Sequence, residues 1–314
     1  MVRFSSHLPP ATPLATACAS TSRSRRRLQA AGACALALVL AATASANGTR
    51  ESKAAFFQDT DPAWSPQGGW IAFARYSSGE GSAICLIRPD GTHFRRVTPF
   101  GTSLSSPSWA PDGRRLAFSD ARGHVFVLNL STRRIRKVTS SWDATDLDWS
   151  PGGKRIAFED HTNSADEARP QIVVIRPDGS DARVVANPGF GQYTDPTWSP
   201  DGKRLAFGAF EEDPQEATYL GVIDSFGGRV RVLLPKLLSY PDWSPDGTRV
   251  VASGIVVIDL RRKLETKLAA GYHPRWSPDG KRIVFAHDPD GDSREDPKLF
   301  VMNADGSAVR PLTG

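Results

Sequence analysis

The stretch Thr194–Leu205 reads TDPTWSPDGKRL, and near-copies of it recur along the chain. The other copies are TDPAWSPQGGWI from Thr60, SSPSWAPDGRRL from Ser105, TDLDWSPGGKRI from Thr145, SYPDWSPDGTRV from Ser239 and YHPRWSPDGKRI from Tyr272. Their tryptophans are 45, 40, 49, 45 and 33 residues apart. A period of roughly 40–50 residues is typical of a propeller blade, so the sequence predicts six repeats of one such unit.

The residues of each repeat predict four short strands. The first strand ends at the tryptophan, and a Ser-Pro-Asp-Gly type of turn follows, in which proline presets φ and glycine accepts a positive φ. Two apolar runs come next, such as RLAF and YLGVI after Trp198, and such runs indicate strands covered on both faces. The fourth run carries Arg and Lys, which suits an exposed edge. We predict an all-β fold, a six-bladed β-propeller of four-stranded antiparallel blades.

The repeats give approximate domain boundaries. After a segment over 47–59, the propeller covers 60–314, with repeats near 60–104, 105–143, 144–193, 194–238, 239–270 and 271–314. Two ways of closing the ring are open. Either every blade is complete and blade 1 packs on blade 6, or the KAAFF segment at Lys53–Phe57 adds a strand across the seam. Phe56 and Phe57 favour docking of this segment.

The first 46 residues are typical of an export signal. They hold five arginines and no acidic residue, and an apolar run ends in Ala44-Ser45-Ala46. This order of regions predicts a secretory signal peptide over 1–46, cleaved after Ala46, and an extracytoplasmic (periplasmic or secreted) protein. An uncleaved anchor helix is the alternative. The arginines at Arg25–Arg27 leave twin-arginine export open beside the general route.

Removal of this leader changes what charge and cysteine content imply. The chain has 39 Lys and Arg against 34 Asp and Glu, and without the five leader arginines the two counts are equal. A neutral domain lacks the basic surface that nucleic-acid binding requires, so we expect no nucleic-acid partner. Of the three cysteines only Cys85 follows the leader, and a lone thiol predicts a buried, inert side chain rather than a disulfide.

The repeated pattern x-P-x-W-S-P-D-G-[KR]-[ILV]-[AV]-F, closing on VT or LT, resembles the PD40 or TolB-like propeller repeat. The resemblance covers residues 60–314 and rests on six occurrences. It is weaker toward WD40 repeats, because the one Trp-Asp dipeptide, Trp142-Asp143, lies between repeats. TolB proteins also carry an N-terminal α/β domain, which we do not expect here, and the same holds for the hydrolase domain of prolyl oligopeptidases. The resemblance implies a six-bladed propeller.

The antiparallel strand order predicts two unlike rims. The short turns after strands 1 and 3 form the turn rim, and the long, varied loops form the variable rim, where binding is more common. Three residues before each tryptophan, six side chains are expected around the mouth of the central channel: Asp61, Ser106, Asp146, Asp195, Tyr240 and His273. We call this set the mouth ring. It could bind a cation or polar ligand, or each member could cap its neighbour's backbone in a water-filled funnel.

Other loop and edge features are weaker signals. Five aromatic residues on the variable rim are candidate anchors for a partner: Phe100, Trp142, Phe190, Tyr193 and Phe210. Asp288, Asp290 and Asp292 resemble the start of a calcium loop, but Ser293 and Leu299 stand where such a loop needs glycine and glutamate. We therefore expect a solvated acidic hairpin and no bound metal. The basic pairs Arg133-Arg134 and Arg261-Arg262 are expected on solvated edges, with contact to acidic partners or lipid headgroups as the alternative.

The sequence contains none of the local catalytic motifs G-x-S-x-G, H-E-x-x-H and G-x-x-x-x-G-K. We therefore expect a non-catalytic, monomeric interaction module without a cofactor. Its partner would be a protein, a peptide or an envelope glycan that contacts the variable rim. The alternative is a lyase or hydrolase with a polar site at the channel mouth, in which His273 is the base and an aspartate such as Asp61 orients it.

Overall fold

A computed structural model describes residues 56–101, 103–162, 170–188, 191–211, 217–236, 238–288 and 297–314. These residues form 24 β-strands in six four-stranded sheets, and they contain no helix. Within every sheet the strands lie side by side in chain order, and neighbours are antiparallel. The described residues therefore include no helix able to cross a membrane. The fold is a six-bladed β-propeller, as the repeats predict.

The strand boundaries repeat from blade to blade. Blade 1 comprises β1 Phe57–Trp64, β2 Ile71–Ser77, β3 Gly81–Ile87 and β4 Arg95–Arg96; blade 2 comprises β5 Ser105–Trp109, β6 Arg115–Ser119, β7 Val125–Asn129 and β8 Arg134–Lys137. Blade 3 comprises β9 Ala144–Trp149, β10 Ile156–Asp160, β11 Gln171–Ile175 and β12 Arg183–Ala186; blade 4 comprises β13 Gly191–Trp198, β14 Arg204–Glu211, β15 Ala217–Asp224 and β16 Arg231–Leu234. Blade 5 comprises β17 Asp242–Trp243, β18 Arg249–Ala252, β19 Val256–Asp259 and β20 Leu264–Lys267; blade 6 comprises β21 Tyr272–Trp276, β22 Arg282–His287, β23 Lys298–Asn303 and β24 Arg310–Pro311.

The turn after each tryptophan explains the repeated Ser-Pro-Asp-Gly letters. In blade 4 the Ser199 hydroxyl donates to Asp201 at 2.6 Å, while its Oγ accepts the Arg204 N–H at 3.0 Å. Gly202 has a φ of 66°, in the region that favours glycine, and its N–H donates to the Ser199 carbonyl at 2.8 Å. Serine, aspartate and glycine each have a distinct role in reversing the chain.

The closing threonine of the repeat has a structural role as well. The buried hydroxyl oxygens of Thr98, Thr139 and Thr313 accept the N–H groups of Ile84, Val125 and Leu299 at 2.9, 3.0 and 3.0 Å. Each threonine thus ties the end of the outer strand to the third strand of its own blade. An unsatisfied N–H at these buried positions would cost about 1–3 kcal/mol. This cost is a physical reason why repeats close on Val-Thr or Leu-Thr.

The core lies between the blades. Six clusters of buried apolar side chains fill the six interfaces between neighbouring blades, and one of these clusters joins blade 6 to blade 1. Each cluster contains one of the repeat tryptophans, which are between 4% and 8% exposed. Three of these indoles donate to a carbonyl of the preceding blade: Trp64 to Arg275 at 3.2 Å, Trp109 to Ala63 at 3.1 Å and Trp198 to Asp148 at 3.1 Å. The tryptophans therefore hold neighbouring blades together.

The ring closes by packing of complete blades, the first of the two expected alternatives. Residues Phe57–Trp64 form β1, the first strand of blade 1 itself, and not an added strand of blade 6. The alternative with a KAAFF strand across the seam is wrong for Phe57, and Lys53–Ala55 lie outside the described residues. A single backbone hydrogen bond, from the Asp59 N–H to the Pro297 carbonyl at 2.8 Å, is found across the seam among the described residues.

The thiol of Cys85 lies in the closing cluster between blades 6 and 1 and is fully buried. Burial raises the pKa of this thiol to about 12. Because the thiolate is the reactive form, a neutral and inaccessible thiol is inert. Cys85 is therefore a core side chain.

Candidate functional site

All six residues of the mouth ring share one unusual backbone conformation. Their φ angles lie between 48° and 54°, in the left-handed region. In five blades this residue lies within the innermost strand, at a bulge in the pairing with the second strand, and in blade 5 Tyr240 lies just before β17. This conformation costs about 1–3 kcal/mol for a residue other than glycine, and it is more common for Asp and His than for Ser and Tyr. The fold accepts this cost at equivalent places in all six blades.

Three of the six mouth-ring side chains bind the backbone of the next blade. The Ser106 N–H donates to Asp61 Oδ2 at 3.0 Å, the Asp146 N–H donates to Ser106 Oγ at 3.1 Å, and the Tyr240 N–H donates to Asp195 Oδ2 at 3.1 Å. In blade 3 the cap comes from another residue, because the Asp195 N–H donates to Glu159 Oε2 at 3.0 Å. The mouth ring therefore links blades through side chain to backbone hydrogen bonds.

The side chains of His273 and Asp61 contact each other across the seam. Nδ1 of His273 lies 2.6 Å from Asp61 Oδ1, which is a distance for donation of the Nδ1 proton to the carboxylate. Burial alone would raise the pKa of Asp61, but His273, the Ser106 N–H and Arg275 outweigh burial and hold this pKa below its usual range. Tyr240 packs edge-on against the imidazole, with ring centroids 3.8 Å apart.

Three carboxylates meet on the opposite side of the mouth. One oxygen from each of Asp146, Glu159 and Asp195 can be chosen so that all lie within 4.8 Å of one another. Burial, together with the neighbouring negative charges, raises the pKa of Asp146 well above its usual range. Burial and the Glu159 charge raise the pKa of Asp195 to about 7. Such a group can share a proton or accept a cation, since either relieves the repulsion. We call it the carboxylate triad.

A second ring lies deeper in the channel, at the residue before each tryptophan. Ser108, Asp148 and Asp242 accept the backbone N–H of the tryptophan in the next blade at 2.9, 2.7 and 2.7 Å. Arg275 reaches Asp242, with Nη1 3.6 Å from Oδ1. Burial alone would lower the pKa of Arg275, but Asp242 and Asp148 hold it above its ordinary value.

Burial raises the pKa of Asp242 to about 6, although Arg275 opposes the shift. Burial likewise raises the pKa of Asp148 against the influence of Arg275. The channel therefore contains several carboxylates whose charge is costly and one guanidinium that partly compensates them. This arrangement favours occupation by protons or cations over anions.

The cavities along the channel are small. The one beside His273, Asp61 and Tyr240 has a volume of about 10 Å³, room for about one water molecule. A larger one of about 160 Å³ lies toward the turn rim, lined by Ser108, Asp148, Asp242, Arg275 and repeat tryptophans. Neither reaches the roughly 300–1,000 Å³ of common small-molecule sites. The channel thus offers polar contacts but little room for an organic substrate.

The expected aromatic anchors differ in accessibility. Phe100, Trp142 and Phe210 are partly buried, and Phe190 lies outside the described residues. Trp142 packs edge-on against Phe158, with ring centroids 6.1 Å apart. Tyr193 is only 4% exposed and its hydroxyl donates to Glu211 at 2.7 Å. The ring of Tyr193 therefore belongs to the core, and the expectation of an exposed anchor there is wrong.

Four channel residues went unnoticed in the sequence: Asp148, Glu159, Asp242 and Arg275. Three of them occupy the variable position before the repeat tryptophan, in LDWSP, PDWSP and PRWSP. The available signal was that charged side chains occupy this variable position within an otherwise similar motif. Glu159 ends the second strand of its blade and gave no comparable signal. Asp290 and Asp292 of the calcium-like stretch lie outside the described residues.

Comparison with known proteins identifies the family of this chain. The family model described as TolB beta propeller domain (PD40) matches residues 49–195 and 191–314. The Tol-Pal system protein TolB of Francisella tularensis subsp. mediasiatica is 31% identical over 83 residues, which are 25% of this chain and 19% of that protein. The protein TolB homolog of Chlorobium luteolum is 42% identical over 126 residues, 39% of this chain and 28% of that protein. These alignments span under a third of either relative.

Solved structures agree on the fold. TolB from Acinetobacter baumannii superposes with a TM-score of 0.62 at 20% identity, over 81% of this chain and 65% of that one. An oligogalacturonate lyase in complex with manganese gives a TM-score of 0.55 at 13% identity, over 79% of this chain and 90% of that one. At these identities the likeness concerns the fold alone. Because the family model covers nearly all of the propeller, the chain belongs to the TolB beta propeller (PD40) family.

Proposed function

We propose that this protein is an exported, non-catalytic interaction module that binds a protein, peptide or envelope component through its variable rim. The observation that carries this proposal is the difference between the two ends of the propeller. At one end the blades turn through near-identical short Ser-Pro-Asp-Gly loops. At the other end, long loops of unlike sequence join β10 to β11, β14 to β15 and β22 to β23. Varied loops on a rigid scaffold are a common basis of recognition.

The interior of the channel supports this proposal. Asp61, Ser106 and Asp195 already bind the backbone of neighbouring blades, so their hydrogen-bonding capacity serves the scaffold. A partner seated on the variable rim would cover the channel mouth and meet the Asp146 carboxylate there. Phe100, Trp142 and Phe210 would offer apolar contacts around this polar centre. The export signal expected over 1–46 and the Tol-Pal system named for a relative agree with a partner in the cell envelope.

The catalytic alternative rests on a specific observation, the 2.6 Å contact between His273 Nδ1 and Asp61 Oδ1. An aspartate that orients a histidine is a common general-base arrangement. The cavity of about 10 Å³ beside this pair leaves no room for a substrate, which makes catalysis the second candidate. A screen of lyase and hydrolase substrates in which wild type and His273→Ala behave alike would eliminate it.

The rim proposal is tested by shortening the three long loops together. In the variant, residues 163–169, 212–216 and 289–296 are each replaced by a Gly-Ser pair, and the protein is used to capture partners from envelope extract. We expect the variant to recover less than a tenth of the partner that the wild type recovers, because the contact surface has been removed. Its melting temperature should stay within a few degrees of wild type.

The matched control changes the opposite end. Phe226 lies in the hairpin between β15 and β16 on the turn rim and is 78% exposed. Phe226→Ser removes an exposed apolar side chain there, and it should leave recovery of the partner unchanged. Equal recovery by the wild type and the loop variant, or loss of recovery in Phe226→Ser alone, would contradict docking on the variable rim.

A further inference from the structure

Blade 1 departs from the other blades at the sixth residue after the repeat tryptophan, next to the start of the second strand. Five blades have arginine there: Arg115, Arg155, Arg204, Arg249 and Arg282; blade 1 has Trp70. Four of these guanidiniums lie over the repeat tryptophan of the next blade: Arg115 over Trp149 at 5.1 Å, Arg204 over Trp243 at 5.5 Å, Arg249 over Trp276 at 4.6 Å and Arg282 over Trp64 at 4.9 Å. In blade 1 this position instead holds Trp70, which packs against the apolar cluster between blades 1 and 2, so this corner has no arginine.

Blade 3 shows what the same corner of a blade can hold. Asp181 lies among three arginines, with Oδ2 2.6 Å from Arg155 Nη2, Oδ1 2.7 Å from Arg183 Nε and Oδ2 3.5 Å from Arg176 Nε. The hydrogen bonds from Arg155 and Arg183 lower the pKa of Asp181 to about 2. The corner is thus a cradle of guanidiniums around one carboxylate, and in blade 3 the chain supplies that carboxylate itself.

Blade 1 repeats two of the three arginines of this cradle without the carboxylate, and Trp70 stands at the place of Arg155. Arg88 corresponds to Arg176, since both precede Pro-Asp-Gly, and Arg95 corresponds to Arg183. At the place of Asp181 stands His93, with a φ of 57° against 54° for Asp181. Neither Arg88 nor Arg95 forms an ion pair with a carboxylate in the part of the chain that the structure describes.

The two guanidiniums of blade 1 are held on the Trp70 ring. The guanidinium carbons of Arg88 and Arg95 lie 5.2 and 4.3 Å from its centroid, and both arginines are exposed. The nearby Asp90 carboxylate already accepts the N–H and hydroxyl of Thr92 at 2.9 and 2.6 Å. Stacking on an indole orders the guanidiniums while leaving their N–H donors free for an anion. We call Trp70, Arg88 and Arg95 the blade 1 cradle.

The outer edge of blade 1 indicates the kind of partner. The strand β4, Arg95–Arg96, is the last strand of its sheet and pairs on one side only, with β3. An extended peptide can add to such an edge through backbone hydrogen bonds. Phe94, next to the cradle, is 48% exposed and offers an apolar contact. Charge and edge together fit an extended acidic peptide.

We propose that the blade 1 cradle binds a side-chain carboxylate of an acidic peptide segment in a partner protein. The bound carboxylate takes the place that Asp181 fills in blade 3. The cradle lies beside the Pro-Asp-Gly turn at Arg88, on the turn rim, so it is a separate surface from the variable rim. Failure of either proposal would leave the other standing.

The test measures binding of the protein to a fluorescein-labelled hexaglutamate peptide by fluorescence anisotropy at low ionic strength, with a labelled hexaglutamine peptide as the neutral comparison. The wild type should bind hexaglutamate at least tenfold more tightly than hexaglutamine. His93→Asp should weaken binding of hexaglutamate at least tenfold, because the new carboxylate would occupy the cradle as Asp181 does. Arg88→Ala combined with Arg95→Ala should weaken it similarly. Asp181→Ala should add a second binding site in blade 3.

Two controls separate the cradle from general charge. Arg133→Ala combined with Arg134→Ala removes the same charge from blade 2, and Ala308→Asp adds an aspartate at the corresponding position of blade 6. Both should bind within about twofold of wild type. Equal binding by wild type and His93→Asp, or an equal loss in the blade 2 control, would overturn the proposal. Tighter binding of an alginate oligomer than of hexaglutamate, abolished by the same variants, would overturn the peptide in favour of an acidic glycan.

Discussion

Replacement of Trp198 by alanine is expected to lower the free energy of unfolding by about 3–5 kcal/mol. Trp198 is 6% exposed in the cluster between blades 3 and 4, and its indole donates to the Asp148 carbonyl at 3.1 Å. The variant loses the buried apolar area and leaves a cavity between two rigid sheets. It also leaves the buried Asp148 carbonyl without this hydrogen bond. Denaturant unfolding followed by far-UV circular dichroism gives the value.

The control for Trp198→Ala is a large apolar side chain that no blade interface uses. Phe226 is 78% exposed, and Phe226→Ala should change stability by no more than about 0.5 kcal/mol. A loss below about 1 kcal/mol for Trp198→Ala would mean that the repeat tryptophans do not hold the blades together. The packing account of the repeats would then be wrong.

The second large effect concerns the carboxylate triad and its dependence on pH. Burial and the Glu159 charge raise the pKa of folded Asp195 to about 7, from 3.8. The folded state therefore binds a proton more tightly than the unfolded state does. The stability that this proton provides is present below pH 4 and is lost as the pH rises to about 7. Asp195→Asn should remove this loss.

Asp195→Asn is accordingly expected to match wild type near pH 4 and to exceed its stability by about 1–3 kcal/mol at pH 8. The asparagine oxygen can still accept the Tyr240 N–H, and its amide group can donate to Glu159. Asp224→Asn is the matched control, because Asp224 is 69% exposed and pairs only with exposed Arg231. A difference between Asp195→Asn and wild type that does not change with pH would contradict the assigned repulsion.

The fold of this protein was predictable from its turn residues and its repeat tryptophans. Proline and glycine after each of the six tryptophans, with aspartate between them in four repeats, define a tight reversal by local chemistry alone. The closure of the ring could not be predicted from the sequence, because packing of blade 6 on blade 1 depends on side chains more than 200 residues apart. Phe56 and Phe57 suggested a strand across the seam, but β1 uses Phe57 within its own blade.

The positions of the mouth-ring residues were predictable from the sequence, but their hydrogen-bond partners were not. Equal spacing from the tryptophans identified Asp61, Asp146 and Asp195 as neighbours around one axis. Their left-handed backbone was not predictable, because five of the six positions precede proline, which favours an extended conformation of the residue before it. Glu159 could not be identified either, because it reaches Asp195 from the end of another strand. Such contacts arise from the assembled ring and not from any one repeat.

Six complete blades form one closed ring, joined at the seam by the packing of blade 6 on blade 1. Hydrogen–deuterium exchange of the protein, read by mass spectrometry, tests this closure. In a closed ring, amides of β1 and β22, at the seam, should exchange as slowly as those of β13 and β14, within the ring. Faster exchange of blade 1 or blade 6 as an independent unit would contradict it.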